Sequence, residues 1–249
     1  MIKKSGVYQQ EYNLHIYDAH LLDKRCNGIY NRLFKRIIGL FIAISLTIFL
    51  MPIFIFISIA IVIDSGFPIF YRADRGGYNN KGFKIYKFRT MVTNADKIGG
   101  GTTALNDIRI TKIGRILRKT KLDEIPQLIN IIQGNMSFIG PRPELLRYTS
   151  QYYGLEKYIL KVRPGISDYS SLEFINLDEI VGEENADEMY EKYILKRKNL
   201  LRIKYAEQIS FAVDIHLFLK TIMRTIQKAI NMIPFVKVAE RSKDGESLT

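Results

Sequence analysis

Asp123 and Glu124 are the residues of this chain with the most to offer chemically. They are adjacent acids, and they follow six cations with no acid between: Arg109, Lys112, Arg115, Arg118, Lys119 and Lys121. Neighbours on a helix point about 100° apart, so the two carboxylates take different jobs. Pro126 follows them, and proline is tolerated in a helix's first turn. That places Asp123 at or beside an N-cap, where free N–H groups and the helix dipole keep a carboxylate ionised. The plain alternative is a capping aspartate beside an exposed glutamate. The surrounding cations argue for chemistry instead. Arg142 sits between two prolines in "IGPRPE", which holds its guanidinium in one direction. Arg75, Lys87, Arg89 and Arg163 stand near glycine, proline or strand residues, and Arg118 lies five residues before Asp123. Arginine suits bidentate phosphate recognition. An acidic pair within a phosphate-binding surface suggests a divalent cation, most naturally Mg²⁺.

Other chemistries find little support. His15, His20 and His216 are scattered, and no Cys/His metal spacing occurs. No G-x-S-x-G motif suggests acyl transfer, and Ser137 and Ser167 read as structural hydroxyls. The glycine-rich stretch "IGGGTTALND" (98–107) lacks the lysine and spacing of a P-loop.

The elements that must position these residues follow from periodicity. "KGFKIYKF" alternates apolar and basic side chains from Phe83 to Phe88, a strand pattern, with Gly76, Gly77, Asn79 and Asn80 turning the chain before it. From Asp107 to Lys121, Ile110, Ile113, Ile116 and Leu117 recur at helical spacing between the cations, which predicts an amphipathic helix with one cationic face. Residues 186–206 and 208–233 also read as helices. The second carries Leu219, Ile222, Met223 and Ile226 on one side, suited to the core or to a membrane surface.

Before all of this lies a 27-residue uncharged apolar run, Ile37 to Ile63, with Pro52 near its middle. A straight helix of that length would be about 40 Å long and could cross a bilayer. Two features oppose a simple crossing. Pro52 favours a kink. The flanks are both basic, with Lys24, Arg25, Arg32, Lys35 and Arg36 on one side and Arg72, Arg75, Lys81, Lys84, Lys87 and Arg89 on the other. Since cations mark the cytoplasmic side, a helix that enters, bends at Pro52 and leaves on the same face satisfies both flanks. A single spanning helix is the competing arrangement.

The chain has 249 residues and a formal net charge of +12. The basic balance points to nucleic acid, anionic lipid or a phosphorylated substrate, and the apolar run favours the last two. No nucleic-acid motif is present. The single cysteine, Cys26, fits a reducing compartment, and residues 1–30 contain no signal-peptide core. The expected fold is an α-rich α+β arrangement. A polar extension (1–30) precedes a re-entrant membrane segment (31–66), a compact cytoplasmic domain with interfacial amphipathic helices (67–239), and a disordered tail (240–249).

The blocks "FPIFYRADRGGYNNKGFKIYKFRTM", "NDIRITKIGRILRKTKLDEIPQLINIIQGNMSFIGPRPELL" and "VRPGIS" resemble the bacterial sugar transferases, the monotopic polyprenyl-phosphate phosphoglycosyl transferases. The resemblance runs from about Leu33 to about Lys228, in the short catalytic form. It implies that Asp123 is a nucleophile toward the β-phosphorus of a UDP-sugar, releasing UMP and leaving a phosphosugar on the carboxylate. Polyprenyl phosphate, undecaprenyl phosphate in bacteria, then takes the phosphosugar. Glu124 would be the Mg²⁺ partner or the second acid of the dyad, and Lys87, Arg118 and Arg142 would hold phosphates. The resemblance also implies a proline-bent helix at Pro52 and a place in the bacterial inner membrane, with the catalytic domain facing the cytoplasm. Surface glycan assembly (exopolysaccharide, capsule or O-antigen) is the implied pathway class. A homodimer is compatible with it. One departure is that "RPGI" continues as "SDYSSLEF" where many members carry a glycine-tryptophan-alanine run, and the chain has no tryptophan. A non-catalytic, membrane-tethered module binding anionic lipid or a partner is the alternative; the intact Asp123, Glu124 and Arg142 argue against it.

Overall fold

The computed structural model describes residues 17–95, 107–175 and 186–230. The glycine-rich stretch from residue 98 to 106 and the tail from 240 lie outside the described residues, as do residues 1–16.

Helix α1 (Ala19–Asn27) is capped by Asp18, whose carboxylate accepts from the His20 amide at 2.8 Å. This helix lies within the stretch expected as a polar extension. Leu22 and Cys26 are almost fully buried in a core with Ile203, Tyr205, Ala206 and Leu217. An i, i+4 pair on an otherwise polar helix makes an apolar stripe too narrow to register as periodicity.

After a π-helical turn at Tyr30–Phe34, the apolar run forms two helices, α2 (Lys35–Phe49) and α3 (Met51–Ser65). The chain bends by 62° between them. The break falls at Leu50 (φ −87°, ψ 1°), so Pro52 lies in the first turn of α3 rather than in the middle of a helix. There its missing N–H is least costly. Each limb has 15 residues, about 22 Å of helix against about 30 Å of bilayer hydrocarbon. Among the described residues no single helix is long and apolar enough to cross a membrane, but this bent pair passes by length and composition. One side of each limb is buried: Ala43 packs with Leu128 and Ile131, and Ile57 and Ile61 pack with Phe88 and Leu117. The opposite side is exposed and apolar, including Phe41, Ile48, Phe49, Phe56 and Ile63.

The expected strand lies in β2 (Gly82–Phe88), which pairs with β1 (Phe70–Gly76) in an antiparallel hairpin, with Phe70 opposite Phe88 and Gly76 opposite Gly82. Asn79 and Asn80 hold the left-handed turn positions, φ 54° and 58°, which asparagine tolerates. Both faces of β2 are covered. Phe83 and Ile85 face the core with Leu128 and Ile131, whereas Phe88 faces the apolar hairpin. By parity, Lys87 shares the face of Phe83 and Ile85.

The cationic helix, α4, is Lys112–Thr120, capped by Thr111, whose hydroxyl accepts from the Gly114 amide at 3.0 Å. The expected helix from Asp107 onward starts five residues later. Residues 107–111 instead form a strap along Thr90–Val92, with Val92 N–H donating to Arg109 and Thr111 N–H to Thr90. The Arg109 guanidinium pairs with Asp107, two residues earlier. Gly114 allows α4 to lie on this strap: a Cβ there would sit 2.1 Å from the Thr90 carbonyl oxygen.

A 3₁₀ turn (Leu122–Glu124) links α4 to α5 (Gln127–Gln133). Then come β3 (Ser137–Ile139), α6 (Leu146–Thr149), a 3₁₀ segment (Gly154–Lys161) and β4 (Gly165–Ser167), which pairs parallel to β3. Helix α7 (Tyr169–Glu173), α8 (Ala186–Met189), a π-helical stretch (Tyr190–Leu195), α9 (Lys196–Gln208) and α10 (Phe211–Ile230) complete the described chain.

Candidate active site

Asp123 and Glu124 occupy the tight turn between the cationic helix α4 and the short helix α5. Lys121 makes the reversal by taking the left-handed region, φ 61° and ψ 14°. Pro126, not Asp123, is the residue that caps α5. Asp123 therefore is not an N-cap as expected, because the 3₁₀ turn consumes the residues that would have formed the first helical turn.

The two acids differ sharply in environment. Asp123 is 6% exposed. Its Oδ1 makes no hydrogen bond among the described residues, and its Oδ2 lies 3.8 Å from the Lys87 ammonium. Burial pushes its carboxyl above the ordinary range; Lys87 opposes that, Glu124 adds to it, and Lys121 and Arg118 oppose it. Glu124 is held from two sides. Lys87 donates to Oε1 at 2.9 Å, and Arg142 donates through Nη1 to Oε2 at 3.1 Å and through Nη2 to Oε1. Burial pushes the Glu124 carboxyl up, but Arg142 and Lys87 outweigh it, and the net position is well below the usual carboxylate range. The same pairing holds the Arg142 guanidinium above its ordinary value despite burial. One of the pair is thus a firmly ionised anchor, and the other a desolvated carboxylate with a free oxygen.

The remaining cations separate by role. Lys87 and Arg142 reach the acids directly, and Arg118 acts on Asp123 through its field while its Nε donates to Thr90 Oγ1 at 3.0 Å. Arg75 stands at the end of β1, where it senses Glu144 and Arg142. Arg89 does something else. Its guanidinium donates to the carbonyls of Ser65 and Phe67 at 2.9 and 2.8 Å, and to Gly66, closing the C-terminal end of α3. That arrangement makes Arg89 a structural cap in place of the phosphate ligand expected. Arg163 stacks over the Tyr78 ring at 4.9 Å and borders a small cleft with Lys35 and Arg36. Its contacts are with that cleft, not with the acid pair.

Several positioning residues escaped the sequence reading. Asn130 is fully buried in α5; its Nδ2 donates to the Lys84 carbonyl at 2.8 Å, and its Oδ1 accepts from the Tyr86 amide at 2.9 Å. It thereby fixes α5 to the strand that carries Lys87. An asparagine within the apolar run "QLINIIQ" was the available signal. Asp168, also fully buried, caps α7 and accepts from the Arg142 amide at 3.2 Å. Aspartate before "YSSLEF" is an N-cap signature that could have found it. Glu144, two residues after Arg142, pairs with the fully buried Arg202 at 2.6 Å and accepts from the Tyr190 hydroxyl. Nothing local in the sequence announces that network. Gln127, one turn after Asp123, is fully buried with neither amide atom hydrogen-bonded among the described residues.

These groups fit Mg²⁺ of a particular kind. Among the described residues no three His, Cys, Asp or Glu side chains form a metal cage. Mg²⁺ instead commonly takes one or two carboxylates, with waters and substrate phosphates completing its shell. Asp123 offers a free oxygen, and Glu124 Oε2, with one donor, retains a lone pair.

Comparison with known proteins identifies relatives of this chain. A UDP-glucose:undecaprenyl-phosphate glucose-1-phosphate transferase of Klebsiella pneumoniae is 40% identical over 157 residues, covering 61% of this chain and 33% of that protein. The chain thus spans about a third of that relative's length. An uncharacterized sugar transferase of Bacillus subtilis is 30% identical over 192 residues, 77% of this chain and 87% of the relative. An exopolysaccharide production protein of Rhizobium leguminosarum bv. phaseoli is 44% identical over 109 residues, 43% of this chain and 54% of the relative. The family model described as bacterial sugar transferase matches residues 30–228. With that match over most of its length, the chain belongs to the bacterial sugar transferase family.

Proposed function

We propose that the protein transfers a sugar-1-phosphate from a UDP-sugar to polyprenyl phosphate, undecaprenyl phosphate in bacteria, at the cytoplasmic face of the bacterial inner membrane. The observation that carries this reading is Asp123: a buried carboxylate with an unpartnered oxygen, beside an anchored Glu124 and within reach of Lys87. In the first step an Asp123 oxygen attacks the β-phosphorus, the bond from that phosphorus to the bridging oxygen breaks, and UMP leaves with the electron pair. In the second, an oxygen of polyprenyl phosphate attacks the same phosphorus and the Asp123 carboxylate departs. Covalent catalysis lets one site serve a water-borne donor and a lipid-borne acceptor in turn.

An anionic nucleophile meets an anionic diphosphate only where the charge is offset. Lys87, Arg118 and Arg142 supply fixed positive charge around the pair. Mg²⁺ bound by Asp123 or Glu124 with the diphosphate would add Lewis-acid neutralisation there. Desolvation raises the nucleophile's basicity, and Lys87, Lys121 and Arg118 oppose that rise.

The bent hairpin is read as re-entrant. Helix α1 precedes it and packs into the same core as α9 and α10, and β1 follows it into the same domain. Both ends of the apolar run therefore belong on one side of a bilayer.

The test is UMP release by the full chain in nanodiscs, with undecaprenyl phosphate and a panel of UDP-glucose, UDP-galactose and UDP-N-acetylgalactosamine. One of these should support turnover that excess EDTA abolishes. Intact-mass analysis with that UDP-sugar alone should show a phosphosugar adduct. UMP release without any adduct under single-turnover conditions would point to direct transfer and remove the covalent step. Full activity in EDTA would remove the metal.

A further inference from the structure

We infer that the apolar hairpin is a working part of the active site, with Arg36 and Asp64 as positioning residues for the Asp123–Glu124 turn; this rests on the function proposed above. Besides the Lys87 and Arg142 contacts to Glu124, the turn is held by the elements on either side of it, and each of these is tied to one limb of the hairpin by a polar contact.

On the first limb, Arg36 donates through Nη1 to the Ile131 carbonyl and through Nη2 to the Ile132 carbonyl at 2.7 Å. These carbonyls belong to the last turn of α5, where helical partners run short; the Ile131 carbonyl also accepts from the Gly134 amide at 3.0 Å. The α5 helix is only seven residues long, so a clamp at its end fixes its beginning, where the acid pair lies. Ala43, two turns further along the limb and fully buried, packs on Leu128 and Ile131.

On the second limb, Asp64 Oδ2 accepts from the Ile113 amide at 3.1 Å. That amide is one of the unsatisfied donors in the first turn of α4, the helix that enters the pair from the other side. The carboxylate also suits the positive end of that helix's dipole. Immediately beyond, Arg89 gathers the carbonyls of Ser65, Gly66 and Phe67, and Arg89 lies two residues after Lys87. So α4, α5 and β2, which deliver Arg118, the acid pair and Lys87, are each tied to the hairpin. A plain anchor requires no such contacts.

The two models diverge on the half-reaction that involves no lipid. If the hairpin only delivers the site to the membrane, the attack of Asp123 on a water-soluble UDP-sugar is indifferent to Arg36 and Asp64. If it positions the site, that step slows. The probe variants are Asp64→Ala, Asp64→Asn and Arg36→Lys. Asparagine keeps an acceptor for the Ile113 amide. Lysine keeps the basic flank but loses the two-pronged fork. The full chain in nanodiscs is mixed with each UDP-sugar of the panel, without polyprenyl phosphate, and single-turnover UMP release is followed. Asp64→Ala and Arg36→Lys should slow release by about tenfold or more, as small misplacements of reacting groups do, and Asp64→Asn should restore it to within about threefold. In parallel, hydrogen exchange should rise at residues 122–130 in the two slow variants and stay unchanged in α9. Wild-type release together with wild-type exchange in both variants would overturn the inference. If the wild type itself releases no UMP without lipid, the covalent reading falls, and the exchange comparison alone decides whether the clamp exists.

Discussion

The Arg142–Glu124 pair can be weighed by a double-mutant cycle. Arg142 gives Glu124 two N–H···O contacts and adds a third from Nη1 to the Ile166 carbonyl at 2.8 Å. Side-chain exposure is 27% for Arg142 and 11% for Glu124. Losing one partner of a buried pair costs about 3–5 kcal/mol, and here Lys87 stays on the carboxylate, so about 3 kcal/mol is expected for Arg142→Met. For a chain of this size that corresponds to a fall in Tm of about 6–12 °C. In a Glu124→Gln background the same substitution breaks no ion pair and loses mainly the Ile166 contact, about 1 kcal/mol. The coupling is then about 2 kcal/mol. Because Glu124 titrates below its unfolded value, this contribution is present above that value and is lost as pH falls through the folded one. The measurement therefore belongs at neutral pH. With no tryptophan in the chain, unfolding is followed by far-UV circular dichroism in detergent. Effects that add to within about 0.5 kcal/mol would refute the argument that Glu124 depends on Arg142 for its charge.

Asp123→Asn should abolish UMP release and the adduct while leaving Tm equal or higher. Burial raises the Asp123 carboxyl above its unfolded value, so its ionised form costs stability once pH exceeds that value; residual turnover by the variant would take Asp123 out of the nucleophile's role. The pH profile of UMP release should show an acidic limb above the ordinary aspartate range. Lys87→Met should move that limb to higher pH, because Lys87 is the leading cation opposing the shift; an unmoved limb would mean that a different group controls it. For topology, Cys26 is a poor probe: it is 2% exposed, and burial pushes its thiol up to about 12. Lys24→Cys in a Cys26→Ala background places a thiol on the exposed face of α1 instead. A membrane-impermeant maleimide should leave it unlabelled in intact cells and label it after lysis, whereas labelling of intact cells would establish a spanning helix. Pro52→Leu should straighten the run and change either that pattern or the activity; if it changes neither, the bend at Leu50 does not depend on proline.

What could be read from the sequence was local. A charge-free run with a proline, alternation over six residues, and an acid pair ahead of a proline all signal within a few positions. They yielded the bent hairpin, strand β2 and the acid pair with Lys87 and Arg142. What escaped depends on partners far along the chain. Arg89 looked like a phosphate ligand because its carbonyl partners lie 22 to 24 residues earlier. Arg202 had no visible role because Glu144 lies 58 residues away. Residues 107–111 carry helical spacing but pair with Thr90–Val92, a tertiary contact that overrides periodicity. Helix α1 gave no periodic signal because its buried apolar stripe is only Leu22 and Cys26, and its polar ties, such as Asp23 to Lys161, reach far along the chain.

The left-handed Lys121 bears on any effort to make this enzyme hardier. A side-chain-bearing residue in that conformation costs about 1–2 kcal/mol relative to the ordinary helical region, and glycine carries no such penalty. A library selected for heat tolerance will therefore favour Lys121→Gly. Yet the Lys121 ammonium is one of the charges that oppose protonation of Asp123 and Glu124. Robustness and turnover pull this one position in opposite directions, as they often do beside strained functional turns. Directed evolution scored on survival alone will drift toward a sturdier protein whose Asp123 is protonated over more of its working pH range, so turnover must be scored in the same round.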